Sequence, residues 1–154
     1  MIVADQLIAH AVGDYVLQSD WMANEKTKKN VAALAHVVTY TLPFLFLTQS
    51  PLALLLIAGS HFIIDRWRLA RYVCWLKNFL APPRTIDNEK QITPGGQVIL
   101  VPKVTGTWWY SWSSCSKTGY PEGKPPWMAV WLMIITDNTM HVLCNGLVLY
   151  YLGG

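Results

Sequence analysis

The chain has 154 residues and a net charge of +3, with 53% hydrophobic and 14% charged residues and a mean hydropathy of +0.27. Soluble domains carry roughly 25% charged residues, so this balance argues against a water-soluble surface and for one membrane domain, residues 1–154, with room for about four spans. So small a charge excess gives no reason to expect nucleic acid as a partner, and three cysteines without CxxC spacing exclude a zinc ribbon and a complete disulfide framework.

The first segment, about residues 2–22, has no basic leader, which predicts that no signal peptide is cleaved. Gln6, His10, Asp14 and Gln18 recur at every fourth position, while Leu7, Ile8, Val12, Tyr15 and Val16 cover much of the remaining surface. A helix of this kind is costly to place in lipid and is expected to turn its polar stripe toward partner helices. Residues 31–50 form an apolar run of spanning length whose one ionisable side chain is His36, with a kink expected at Pro43. After the short QSP turn a third helix, about residues 52–79, is expected to lie antiparallel to the second, with Pro51 in its first turn.

Lys26, Lys28 and Lys29 follow the first segment, and Arg66, Arg68, Arg71, Lys77 and Arg84 follow or end the third, whereas the QSP turn carries no charge. The positive-inside rule makes both basic regions cytoplasmic and turns both termini outward if all four segments span. Residues 81–126 read as a polar cytoplasmic insertion, with a small hairpin within QVILVPKVTGTWWYSW and an aromatic lid of Trp108, Trp109, Trp112, Tyr120 and Trp127. The last helix, about residues 127–152, begins after a Pro-Pro pair and ends before Gly-Gly. The expected fold is therefore all-α: a four-helix transmembrane bundle, multi-pass in the cytoplasmic membrane, with a loop insertion between the third and fourth helices.

Three His/Asp pairs, His10/Asp14, His61/Asp65 and Asp137/His141, are spaced four apart, so each puts an imidazole and a carboxylate on one helix face about 6 Å apart along the axis. The topology set by the basic residues places every aspartate nearer the cytoplasm than its histidine. His36 falls about 10 Å past Lys29, near the aspartates. Four imidazoles and three carboxylates match a two-metal site, or one metal with carboxylates orienting its histidines. A proton or ion path, haem, and structural polar packing are the alternatives. Arg66, Arg68 and Arg71 begin just past Asp65 and read either as topology anchors or as receptors for an anionic head group. Cys115 is a minor candidate nucleophile.

The motifs HAVGDYVLQSDWMANEK, HVVTY, HFIIDRWRLARY and DNTMH resemble those of the domain of unknown function 3307 family, small membrane proteins of bacteria and their phages, over residues 6–80 and 107–150. WSSCSKTGYPEGKPPW resembles the phage branch. The resemblance implies a bacterial membrane location and shared polar positions at His10, Asp14, Gln18, His36, His61, Asp65, Asp137 and His141; it implies no activity.

The expected function is a metal-dependent hydrolase acting on a lipid or lipid-linked head group. His10, His36, His61 and His141 would bind a divalent metal, zinc first and manganese or iron otherwise, with Asp14, Asp65 and Asp137 as ligands or general base. Arg66, Arg68 and Arg71 would orient the head group. The alternatives are a proton-coupled or divalent-cation transporter, for which an oligomer could supply the pathway, and a non-catalytic membrane factor of phage growth.

Overall fold

The computed structural model describes residues 2–80, 86–104, 111–121 and 123–153. Helix α1 (Ile2–Ala11) does not continue to residue 22. It passes into a π-helical turn (Val12–Val16), closed by the Leu17 amide donating to the Val12 carbonyl at 3.0 Å, and then breaks. Gly13 makes the turn's close packing workable, because a Cβ there would lie 2.6 Å from the Tyr40 ring and 3.0 Å from the Tyr40 carbonyl. A short helix α2 (Asp20–Glu25) follows, capped by Ser19, whose hydroxyl accepts from the Met22 amide at 3.4 Å.

Helix α3 (Asn30–Thr41) tightens into a 3₁₀ turn (Leu42–Phe46) at the expected kink, since Pro43 has no amide to donate back along the helix. Helix α4 (Pro51–Arg66) starts from Ser50, whose hydroxyl accepts from the Ala53 amide at 3.3 Å, with Pro51 in its first turn. The third helix is not continuous to residue 79. It breaks at Trp67 and Arg68, after which α5 (Leu69–Leu80) begins. Arg68 takes φ +50°, a left-handed conformation that costs a non-glycine residue about 1–2 kcal/mol.

The hairpin is displaced from its expected place. Strands β1 (Ile86–Ile92) and β2 (Val98–Val104) pair antiparallel from Ile86↔Val104 to Ile92↔Val98. The reversal is made by TPGGQ, where Gly96 has φ +78° and the Thr93 amide donates to the Gln97 carbonyl at 2.9 Å. QVILVPKV thus supplies one strand, and Pro102 is tolerated because a two-stranded sheet has only edges.

The long helix α7 (Pro126–Leu152) packs against α1, α4 and α5. Ala9, Tyr40, Phe44, Ile57 and Leu149 form the apolar core at one end, where the Thr48 hydroxyl donates to the Gly153 carbonyl at 2.8 Å. The QSP turn and the end of α7 therefore lie side by side. At the opposite end Cys74, Tyr120 and Ala129 form a second cluster under the short helix α6 (Trp112–Cys115) and its loop. Of the expected lid, Trp112 stacks on Tyr72 at 4.6 Å and Tyr120 is buried, so these two form a packed buttress; Trp127 is 65% exposed, and Trp108 and Trp109 lie outside the described residues. Of the described helices, only α7 is long and apolar enough to cross a membrane; the segment Asn30–Phe46 is apolar but shorter. The chain is mostly helical with one small sheet, rather than four uninterrupted spans.

Gly119 fixes the buttress. It has φ +79°, and a Cβ would collide with the Arg71 carbonyl and the Trp75 amide of α5. Gly119→Ala is expected to lose about 2–4 kcal/mol from left-handed strain and overpacking together. Gly96→Ala, with φ +78° but open space around it, should lose only about 1 kcal/mol. Thermal unfolding of the two variants side by side checks the difference.

Candidate metal centre

The i, i+4 pairs read from the sequence form as intrahelical neighbours: His61 Nε2 lies 3.1 Å from Asp65 Oδ2 on α4, and His141 Nε2 lies 3.5 Å from Asp137 Oδ2 on α7. His10 Nδ1 is 3.5 Å from Asp14 Oδ2 across the start of the π turn. That turn adds a residue to the helical repeat and swings Asp14 past its own helix toward α3 and α4. Gln6, His10 and Asp14 are all buried, so the polar stripe of the first segment faces inward as expected.

Asp14 Oδ1, His36 Nε2, His61 Nε2 and Asp65 Oδ2 all lie within 4.8 Å of one another, and all four residues are buried. The two ring nitrogens are 2.9 Å apart; His36 Nε2 is 3.2 Å from Asp14 and 3.3 Å from Asp65; His61 Nε2 is 3.4 Å from Asp14 and 3.1 Å from Asp65. A regular tetrahedron with metal–ligand bonds of about 2.0–2.1 Å has edges of about 3.3–3.4 Å. Four of the six edges here fall close to that length and the edge between the two ring nitrogens is shorter, so small adjustments let the donors take a four-coordinate divalent cation. Asp14 Oδ1 is buried and accepts no well-aligned hydrogen bond among the described residues, an arrangement that burial penalises unless a cation answers it, whereas Asp65 Oδ2 is answered by the Lys26 ammonium at 2.7 Å.

Asp65 also faces the other way. Its Oδ1 lies 3.3 Å from His141 Nε2, and Asp65, Asp137 and His141 make a second group able to hold a metal ion. One carboxylate thus touches both groups, one oxygen each. The first group has four protein donors and is closed; the second has three, and Asp137 is its exposed member, at 29% of the side chain.

His10, expected as a ligand, stands outside both groups. Its Nδ1 is 3.0 Å from the Tyr40 hydroxyl and its Nε2 is 2.9 Å from Asn138 Oδ1. Asn145 Nδ2 donates to the Tyr40 oxygen at 2.6 Å, so Tyr40 can donate to His10 and His10 to Asn138. Tyr40 also stacks on the His61 ring, 3.5 Å between centroids, and holds its plane. Tyr40, Asn138 and Asn145 carry no charge and belong to no His/Asp pair; the sequence signal that could have found them is their i, i+4 or i, i+3 relation to His36 or His141.

Lys26, which the sequence marks only as a topology residue, also joins the site. Its Nζ lies 2.7 Å from Asp65 Oδ2, 2.7 Å from Gln18 Oε1 and 3.3 Å from His36 Nε2, so it supplies positive charge beside the carboxylates. Glu25, one residue before it, is held below the usual carboxylate range by Lys29, with Lys28 adding to the effect. A cavity of about 340 Å³ opens over the three carboxylates, lined by Asp14, Gln18, Lys26, Asp65, Arg68 and Asp137.

Of the three expected arginines, Arg68 alone lines that cavity. Arg66 is consumed by the Asn30 side chain and by the carbonyls of Thr27 and Lys28, and Arg71 by the Ser116 carbonyl and the Tyr72 hydroxyl. Partial burial lowers the Arg68 guanidinium from its ordinary value, Arg71 adds to this and Asp137 opposes it; an arginine keeps its charge regardless. Cys115 is buried beneath its loop, with Ser114 Oγ at 3.7 Å, and belongs to neither metal-ligating group.

Fold and site together define a small helical protein with a buried His/Asp centre able to hold a metal ion. Residues 2–92 match the family model DUF3307, described as a protein of unknown function, and the chain belongs to that family. The four-donor group lies wholly within the matched residues; Asp137, His141 and WSSCSKTGYPEGKPPW lie beyond them. No curated protein and no solved structure matches the chain.

The two classes of histidine separate experimentally. His61→Ala is expected to lose the metal of the four-donor group, whereas His10→Ala should retain it and lower the melting temperature through the loss of a buried hydrogen-bonded chain. Elemental analysis of the purified variants beside their thermal unfolding checks this.

Proposed function

We propose that this protein is a membrane-embedded, metal-dependent hydrolase acting on a lipid or lipid-linked head group at the cytoplasmic leaflet. The observation that carries the reading is the near-tetrahedral convergence of Asp14, His36, His61 and Asp65, joined through Asp65 to an open group that faces a cavity. A closed four-donor set is the pattern of a structural ion, and three protein donors with a vacant direction the pattern of a catalytic one. Bound at the open group, a divalent ion would polarise the scissile group and bring the pKa of water to about 7. Asp14, Asp65 and Asp137 line the cavity and hold charge at its floor, while the histidines stand behind them. In the reaction the oxygen of water would bond to the electrophilic centre as a carboxylate takes the water's proton, the ester bond would break, and the same carboxyl would return that proton to the leaving oxygen, which departs as the alcohol.

Membrane embedding is supported by the outer surface. Phe46 is 93% exposed, Val16 72%, Val31 70% and Leu55 68%, on segments that turn their polar residues inward. Only 17% of the most apolar part of α7 is buried within the chain, whereas the core helix of a soluble protein would be mostly covered. Apolar exposure on this scale marks a surface meant for lipid or partners. Multi-pass insertion, with the 81–126 segment on the cytoplasmic side, follows from this and from the basic residues at one end.

Detergent-purified wild type is expected to carry two equivalents of zinc, manganese or iron. Asp65→Ala, which removes the shared ligand, should lose both and reduce lipid turnover to background; His141→Ala should keep one equivalent and still lose turnover. A folded wild type that takes up no metal even after reconstitution would overturn the hydrolase. Metal binding accompanied by cation flux in liposomes lacking any hydrolysable lipid would replace it with a transporter.

A further inference from the structure

We infer that the cavity over the Asp/His groups is a receptor for a phosphoryl group, which Lys26 and Arg68 grip from the protein side. The inference rests on the metal-centre reading above and narrows its substrate to phosphate esters. The cavity is lined by three carboxylates, Asp14, Asp65 and Asp137, and by two cations, Lys26 and Arg68. Without metal the carboxylates outnumber the cations and would repel an anion; divalent ions in the two groups reverse the sign and leave the lining net positive. An anionic substrate group is the chemistry that balances this state.

Arg68 is built for such a contact. Its recorded hydrogen bonds, to the Lys117 carbonyl at 3.1 Å and the Met133 sulfur at 3.8 Å, both use Nη2, and among the described residues neither Nε nor Nη1 has a partner. Arg66 and Arg71, by contrast, each spend two or more nitrogens on neighbours. The backbone of Arg68 is left-handed, a conformation glycine would adopt without strain, so what the position gains from arginine is its side chain. Lys26 complements it. An ion held by Asp14, His36, His61 and Asp65 would repel the nearby ammonium, and the flexible stem of Lys26 lets its head turn into the cavity it lines.

Geometry favours a phosphoryl group over a carboxylate. A planar carboxylate offers two oxygens, which an open metal and one arginine would exhaust. A phosphate monoester offers three peripheral oxygens and can meet the metal, the forked guanidinium and the ammonium together.

The test uses the full chain in detergent, loaded with Mn²⁺, and follows inorganic phosphate by the broadening of its phosphorus NMR signal. Wild type is expected to broaden the signal. Arg68→Gln and Lys26→Gln should weaken phosphate binding about tenfold or more, the scale of a lost charge-assisted contact. Arg68→Gln should keep its manganese. Arg68→Gly should raise the melting temperature by relieving the backbone while still losing phosphate, and Arg68→Lys should recover part of the affinity; a merely structural arginine would show neither. Phosphate that leaves Mn²⁺-loaded wild type untouched, or that binds Arg68→Gln as well as wild type, overturns the receptor while leaving the metal centre standing. Failure to take up Mn²⁺ would overturn the metal centre and the receptor with it. Glycerol 3-phosphate compared with phosphatidylcholine nanodiscs containing phosphatidic acid then tells a soluble ester from a lipid head group, and failure of both overturns the proposal.

Discussion

Two buried carboxylates that cannot both stand uncompensated are the constraint on which the rest of the architecture depends. Asp14 and Asp65 come from different helices and are brought to the same pair of ring nitrogens, where charge in a low-dielectric interior must be answered by an opposite charge or by hydrogen bonds. The π turn, the inward face of α3 and the register of α4 against α7 each make sense as a means of delivering one donor to that point. Around it the Tyr40, Asn138 and Asn145 side chains use the remaining hydrogen-bonding capacity of His10 and hold the His61 ring in plane. Such outer partners give a metal-binding set its rigidity.

The molecule is polar at its centre and apolar over much of its outer face, the reverse of an ordinary soluble domain. That inversion explains how short or broken helices coexist with a well-formed interior. Residues 12–16 and 42–46 depart from α geometry where side chains of the core need it, placing Asp14 and Phe44 inside the chain. The break at Arg68 is of another kind. It lies at the basic end, where α4 gives way to α5 and Arg68 lines the cavity.

Much of the site was legible in the sequence because a spacing of four residues has a fixed meaning on a helix: His61 with Asp65 and Asp137 with His141 could be paired without any tertiary knowledge. Spacing says which residues share a face and not which neighbour they meet. His10 was therefore read as a ligand when its partners are Tyr40 and Asn138, and Lys26 as a topology marker when its ammonium reaches Asp65. The π turn left no signature beyond a permissive Gly13. The break at Trp67 and Arg68 carries neither glycine nor proline, so it is imposed by packing alone. The hairpin lies upstream of the expected segment for a local reason, since its reversal is made by TPGG, just before QVILVPKV.

Asp65 gives each of its oxygens to a different group, and this has a thermodynamic consequence. Were both groups filled, their occupancies would be linked reciprocally: whatever factor the first ion imposes on the affinity of the second, the second must impose on the first. An ion drawing charge from one oxygen leaves the other a poorer donor, so the linkage is anticooperative. The enclosed ion would be retained while the one beside the cavity exchanged with its surroundings, and the centre would respond to ambient metal concentration without losing the ion that holds its frame.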